Sequence, residues 1–278
     1  MKIAFITLGC KLNFAETATY ERGFREAGLQ IVPWREKADI YLINTCTVTE
    51  TSNKKSRGEI RKVHRINPDA RIIVAGCYAQ MRPDEVRAIP GVARVFLASE
   101  KHLVVPETLN TINSSRQELP VAETVFSAYS TSERTRAFLK VQDGCNYFCS
   151  YCAIPYARGR SRSVPLEVLL EQAKNIAEKG VKEIVLTGVN IGDYQGGLLD
   201  VMKALDKIGG IERYRISSIE PNLLTDSMID WIASGTKFQP HFHIPLQSGC
   251  NSTLERMHRR YDTELFAGKI DYIRKKMG

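Results

Sequence analysis

Through its first hundred residues the chain repeats one unit, a short apolar run followed by a polar, amphipathic stretch of helical length. The apolar runs fall at 2–8, 29–33, 39–44, 71–75 and 94–98, with helical stretches such as 15–27 and 53–65 between them. Few folds accept that alternation. Short strands separated by helices predict a parallel sheet with both faces covered. Three of the runs end in cysteine: ITLGC at Cys10, LINTC at Cys46 and IVAGC at Cys77. In open parallel sheets ligands sit beyond the carboxyl ends of the strands, so three thiols separated by 36 and 31 positions are expected to converge there.

From 108 to 135 the periodicity fades, and ten of these 28 residues are Ser or Thr. This predicts a linker at 113–134 between a first domain at 1–112 and a second at 135–278. Strand candidates then recur at 137–142, 183–189, 213–218 and 241–246, with helical segments at 165–179, 198–207, 225–233 and 262–276. Pro165 suits the first turn of its helix and Gly180 the position just past its end. Repeated strand-helix units predict a full or partial barrel whose chemistry gathers at the strand carboxyl ends.

The first of these strands runs into GCNYFCSYC, residues 144–152. Cys145, Cys149 and Cys152 have no nearby fourth ligand. A structural zinc site closes with four Cys or His ligands, and the chain offers no second CxxC and no HxxxH. A thioredoxin-like pair of Cys149 and Cys152 leaves Cys145 unexplained. Three local thiolates are therefore either an incomplete set or one that leaves a coordination position open. Cys250 belongs to neither triad and reads as a small buried side chain.

With 278 residues, 43% of them hydrophobic and 25% charged, the chain has the makings of a soluble globular protein. Its apolar start is too short for a signal sequence and no later run reaches membrane-spanning length, which predicts a cytoplasmic protein. In a reducing compartment seven cysteines point to metal binding or thiol chemistry more than to disulfides. The net charge of +8 suggests a polyanionic partner. Residues 54–65 alone contribute +5, and Lys54, Arg57, Arg61 and Arg65 share one face of a helix there. Such a stripe either follows a phosphate backbone or is a solvated helix face.

CNYFCSYC has the CxxxCxΦC form, with Tyr151 as the aromatic Φ, and resembles the radical S-adenosylmethionine (radical SAM) enzymes. Together with LGCKLNFAET, INTCTVTETS, VAGCYAQ and IPYARGRSRS, it is similar to the methylthiotransferase family throughout the chain. The resemblance implies a flavodoxin-like first domain whose Cys10, Cys46 and Cys77 hold an auxiliary 4Fe-4S cluster. It implies a second 4Fe-4S cluster on Cys145, Cys149 and Cys152, with the fourth iron open to the amine and carboxylate of SAM. The spelling GCKLNFAE further resembles the subgroup that modifies N6-threonylcarbamoyladenosine at position 37 of tRNA. The implied reaction adds a methylthio group to carbon 2, with one SAM as methyl donor, one as radical source, and an external electron donor and sulfur source. Alternatives are the same chemistry on prenyl-adenosine or a ribosomal-protein aspartate, or an iron-sulfur or zinc module without radical chemistry.

For SAM the resemblance points to Tyr151, to Gly188 and Asn190 in the TGVNIG stretch, and to Ser218, Glu220 and Gln247 at later strand ends. Arg158 and Arg160 are favoured for the SAM carboxylate or for RNA phosphate, Arg160 joining Lys54, Arg57, Arg61 and Arg65 as an RNA candidate. Arg256, Arg259 and Arg260 read as surface charge, and His241 and His243 as packing. Four strand candidates stand where the family's barrel has six, and the sequence stops before the family's C-terminal β-barrel that binds RNA. A truncated radical SAM barrel that binds tRNA weakly is therefore expected.

Overall fold

Continuous apolar runs and their intervening helices fold into α/β structure in both halves of the chain. The computed structural model describes residues 1–47, 49–113, 118–120, 125–131 and 135–278. Half of the expected linker at 113–134 lies outside them. Two units form, one of Met1–Ala128 with Tyr156–Gly159 and one of Tyr129–Pro155 with Arg160–Gly278.

The first unit runs β1 (Lys2–Thr7), α1 (Lys11–Glu26), β2 (Gln30–Ile31), β3 (Ile40–Thr45), α2 (Glu50–Ile66), β4 (Arg71–Gly76), α3 (Cys77–Met81), α4 (Pro83–Arg87), β5 (Val92–Val95) and α5 (Val104–Asn113). Its sheet is wholly parallel with strand order β2-β1-β3-β4-β5, the flavodoxin-like winding. Successive side chains of a strand point to opposite faces, and the two cores obey that period. Ile3, Ile40, Leu42 and Ile73 pack with Tyr20, Phe24 and Val104 of α1 and α5. Ala4, Ile6, Tyr41, Ile43, Ile72 and Val74 pack with Ile60, Val63, Tyr78 and Val86 of α2, α3 and α4. Each fully buried Ile or Leu contributes about 1.5–3 kcal/mol, so the central strands, buried on both faces, anchor the unit. Thr49 caps α2 by accepting from the Ser52 N–H at 3.1 Å.

The second unit contains β6 (Ala137–Lys140), β7 (Gln142–Asp143), α6 (Ile154–Arg158, whose end belongs to the first unit), β8 (Arg162–Ser163), α7 (Leu166–Glu178), β9 (Glu183–Thr187), α8 (Leu198–Asp206), β10 (Arg213–Ile216), α9 (Asp226–Ala233), α10 (Asn251–Arg256) and α11 (Thr263–Met277). Strands β6, β9 and β10 pair in parallel and in sequence order, as barrel winding requires. Strands β7 and β8 make a short antiparallel pair that the sequence pattern does not announce. Pro165 stands at the N-cap of α7, and Gly180, at φ 77°, follows its end. The expected strand at 241–246 does not form. Pro245 removes a backbone donor from that stretch and Pro240 another immediately before it, and one isolated bridge between Ser218 and His243 is what persists. Among the described residues, no helix is long and apolar enough to cross a membrane.

Candidate metal centres

In the first unit tight turns precede two of the three strand-end cysteines, and one buried carboxamide joins the loops that carry Cys10 and Cys46. Gly9 and Gly76, at φ 110° and 98°, precede Cys10 and Cys77 in the left-handed region that lets each strand turn away from its sheet. A Cβ on Gly9 would stand 3.3 Å from the Cys46 sulfur, so the Cys10 loop and Cys46 lie side by side. Asn13, 1% exposed in the first turn of α1, donates to the Leu8 carbonyl at 2.8 Å and the Thr45 carbonyl at 2.9 Å. It thereby ties together the loops that carry Cys10 and Cys46. Its Oδ1 accepts from Arg158 at 2.6 Å and lies 3.7 Å from the Cys10 sulfur.

Behind the thiols lies a buried ionic cluster. Glu16 Oε1 takes Lys101 Nζ at 2.8 Å and Arg158 Nη1 at 3.1 Å, with all three side chains essentially inaccessible. Burial pushes the Cys77 thiol up, while the charges of Arg158 and Lys101 pull it down. Arg158, expected near the SAM carboxylate, is thus committed to Glu16 and Asn13 in the first unit. Asn13, Glu16 and Lys101 were not singled out by sequence; the signal available was the polar pair three and six residues after Cys10.

In the second unit the cysteine loop leaves β7 through Gly144, with Phe148 held at φ 50°. Cys149 is 9% exposed, Cys145 and Cys152 are half-buried, and all are free thiols. The Tyr147 N–H points at the Cys145 sulfur at 3.4 Å, and the Cys152 N–H donates to the Cys149 carbonyl at 2.9 Å. Burial raises the Cys145 and Cys152 thiols, and the neighbouring thiols of the loop push the same way. Among the described residues, no three His, Cys, Asp or Glu side chains are drawn tightly enough around one point to hold a single metal ion.

Gln142 links this loop to the end of β9. Its Oε1 accepts from the Val189 and Asn190 N–H groups at 3.0 and 2.8 Å, while its Nε2 donates to the Gly144 carbonyl at 2.7 Å. Gly188 is forced by close approach: a Cβ there would lie 2.7 Å from Ile191 and 3.0 Å from the Gln142 carbonyl. Asn190 is 4% exposed, and neither of its side-chain polar atoms has a hydrogen-bond partner among the described residues. Asp193 Oδ2, Ser217 Oγ and Asn222 Oδ1 are likewise buried without partners. Buried polar atoms are nearly always satisfied, so this group at the carboxyl ends of β9 and β10 is a place for a polar ligand.

The other expected positions divide. Tyr151 is 54% exposed, and its hydroxyl accepts from Arg259 at 3.3 Å. Arg259 also ion-pairs with Glu220 and donates to the Cys149 sulfur at 3.2 Å, so three expected residues meet through an arginine expected to be surface charge. Ser218 and Gln247 are exposed; Ser218 lies 3.2 Å from His243 Nδ1, and Gln247 has a left-handed φ of 62°. Cys250 is exposed rather than buried, and hydrogen bonds led by Ser252 bring its thiol down to about 7. On α2, Lys54, Arg61 and Arg65 are exposed, but Arg57 is bound to Glu50 at 2.9 Å, Glu85 at 2.7 Å and the Tyr78 hydroxyl at 3.2 Å. Arg160 is exposed and lies 5.3 Å over the Phe148 ring.

Comparison with known proteins bears on both units. Residues 2–98 match the uncharacterized protein family UPF0004, and residues 139–278 match the Radical SAM superfamily. The chain is 41% identical to the threonylcarbamoyladenosine tRNA methylthiotransferase MtaB of Bacillus subtilis, over 99% of this chain and 64% of that protein. It is 38% identical to the protein of the same name from Aquifex aeolicus, over 98% of this chain and 69% of that one. It therefore spans about two thirds of the length of these relatives. Among solved structures, the radical S-adenosylmethionine methyltransferase TsrM from Kitasatospora setae, with tryptophan and a SAM analog bound, is similar at a TM-score of 0.67 and 12% identity, covering 99% of this chain and 66% of that one. That likeness is one of fold. The two matched regions and the near-complete alignments place this chain in the radical SAM superfamily and, within it, in the methylthiotransferase family.

Proposed function

We propose that this chain carries the two metal centres of a tRNA methylthiotransferase that adds a methylthio group to carbon 2 of N6-threonylcarbamoyladenosine at position 37. Cys10, Cys46 and Cys77 would hold one 4Fe-4S cluster, and Cys145, Cys149 and Cys152 another. The observation that carries the reading is two separate sets of three free thiols, one at the carboxyl ends of the parallel strands β1, β3 and β4 and one in the single loop that follows β6 and β7. Three thiols supply all but one of the ligands a cubane cluster takes. The partnerless Asn190, Asp193, Ser217 and Asn222 atoms near the second set suit the amine and carboxylate of SAM.

When bound, the clusters and SAM supply the electron, methyl and radical chemistry that side chains lack. The chain's own residues position and shield. Gln142 fixes the start of the cysteine loop against the β9 loop. The Tyr147 N–H and the Arg259 guanidinium aim donors at the sulfurs of Cys145 and Cys149. Asn13 ties together the loops that carry Cys10 and Cys46, and the Glu16–Lys101–Arg158 cluster holds Asn13 from behind through Arg158. Exposed Lys54, Arg61, Arg65 and Arg160 are the cations offered to tRNA phosphates. A tRNA substrate and an external electron donor place the reaction in the cytoplasm.

The test is anaerobic reconstitution with iron and sulfide, then incubation with reductant, SAM and tRNA carrying threonylcarbamoyladenosine. Mass spectrometry of the digest should show the methylthio nucleoside together with 5′-deoxyadenosine, both lost in Cys149→Ala. Iron-loaded protein that releases no 5′-deoxyadenosine would overturn the radical reading, and product from prenyl-adenosine alone would overturn the substrate.

A further inference from the structure

The stretch MHRRY, residues 257–261, follows α10 and carries two adjacent arginines with opposite fates. His258 takes a left-handed φ of 57°, and the turn it makes points Arg259 inward and leaves Arg260 exposed. The turn is held to the cysteine loop by its backbone, since the Ser150 N–H donates to the Met257 carbonyl at 3.2 Å. The Arg259 side chain is 4% exposed and every edge of its guanidinium is engaged. Nη1 donates to the Cys149 sulfur at 3.2 Å and to the Tyr151 hydroxyl at 3.3 Å. Nη2 is ion-paired with Glu220, and Nε donates to the Tyr261 hydroxyl at 3.2 Å. Tyr261 in turn donates to the Pro245 carbonyl at 2.7 Å, closing a second layer of support.

Such an arrangement is costly unless the cation has work there. A guanidinium stays charged at all accessible pH and presents a rigid fork of donors, so one edge can hold a carboxylate while another faces sulfur. Hydrogen bonds to ligating sulfurs stabilise the more negative, reduced form of an iron-sulfur cluster and so raise its potential. Arg256, by contrast, bonds to its own helix at Ser252 and Thr253 and stays exposed.

We propose that Arg259 is a positioning residue that raises the reduction potential of the cluster held by Cys145, Cys149 and Cys152 through its N–H contact with the Cys149 sulfur, and that Glu220 moderates this effect by competing for the same guanidinium. The inference rests on the cluster assignment made above. Arg259 acts on the ligand, and Glu220 acts through Arg259.

The experiment uses the full chain with Cys10, Cys46 and Cys77 replaced by Ala, so that one cluster remains, and follows its reduction by electron paramagnetic resonance in a potentiometric titration. With iron content unchanged, Arg259→Gln should move the potential to more negative values and Arg259→Lys should recover part of the shift. Glu220→Gln should move it the opposite way. A purely structural role for Arg259 predicts loss of iron without a change in the potential of the cluster that remains. An Arg259→Gln protein with parental iron and parental potential overturns the proposal, as does a Glu220→Gln shift of the same sign. Should Arg259→Gln fail to fold, parental potentials in both Arg259→Lys and Glu220→Gln overturn it equally. A parent chain that binds no iron at these cysteines overturns the cluster assignment itself and this proposal with it.

Discussion

Asn13 shows how much one carboxamide decides. Its two donors satisfy carbonyls at the ends of β1 and β3, and its oxygen meets a guanidinium that also binds Glu16. All of this happens at 1% exposure, where water cannot replace a lost partner. Asn13→Ala should therefore cost about 1–3 kcal/mol for each buried group left unsatisfied, read as a lower denaturant midpoint. It should also reduce the iron retained by Cys10, Cys46 and Cys77 while sparing Cys145, Cys149 and Cys152. A variant with parental stability and iron content would show that the two loops hold themselves. The cysteines were legible in sequence because thiols at strand ends have few bland explanations in such numbers. Asn13 and Arg259 were not, because Asn and Arg are common surface residues and only burial gives them a role.

At the scale of elements, pairing between neighbouring strands sets the local electrostatics. Glu183 opens β9 and is 11% exposed, with Arg215 Nε at 2.9 Å and Arg213 Nε at 3.1 Å reaching it from β10. Burial works to raise its carboxyl, but the hydrogen bonds from Arg213 and Arg215 outweigh it and hold the group below its ordinary value. A carboxyl whose folded value lies below its unfolded value stabilises the fold above the unfolded value, about 4.3 for Glu, and loses that contribution as pH falls through the folded one. Denaturant titrations between pH 7 and pH 3 should show this acid-side loss, and Glu183→Gln should flatten it. An unchanged pH profile in the variant would mean that the ladder of charges is neutral to folding. Most elements were visible in the sequence, since strands buried on both faces read as apolar runs and α7 carries its own start and stop residues. The stretch 241–246 failed because its alternating pattern concealed Pro245, with Pro240 just ahead of it, and neither can donate to a ladder.

For the molecule as a whole, charge has to be sorted by what it already holds. Of the stripe on α2, Arg57 is engaged by Glu50, Glu85 and Tyr78, whereas Lys54, Arg61 and Arg65 face solvent. Replacing those three by Gln should weaken tRNA binding and lower the slope of log affinity against log salt by about 2–3, since each lost phosphate contact removes about 0.7–0.9. Arg57→Ala should leave the slope nearly as it was. An unaltered slope in the triple variant would assign the tRNA surface elsewhere. The sequence by itself determined the parallel α/β class and the family and marked two candidate thiol triads, because hydrophobic period, cysteines at the ends of apolar runs and the close spacing of Cys145, Cys149 and Cys152 are all local properties of a chain. Tertiary structure alone decided which charges are spent. It took Arg158 into the first unit beside Glu16, and it turned Arg259 from apparent surface charge into a donor to Cys149. The physical reason is that a charged side chain's role depends on desolvation and on the partner it meets, and both are fixed by residues distant in sequence that no local pattern encodes.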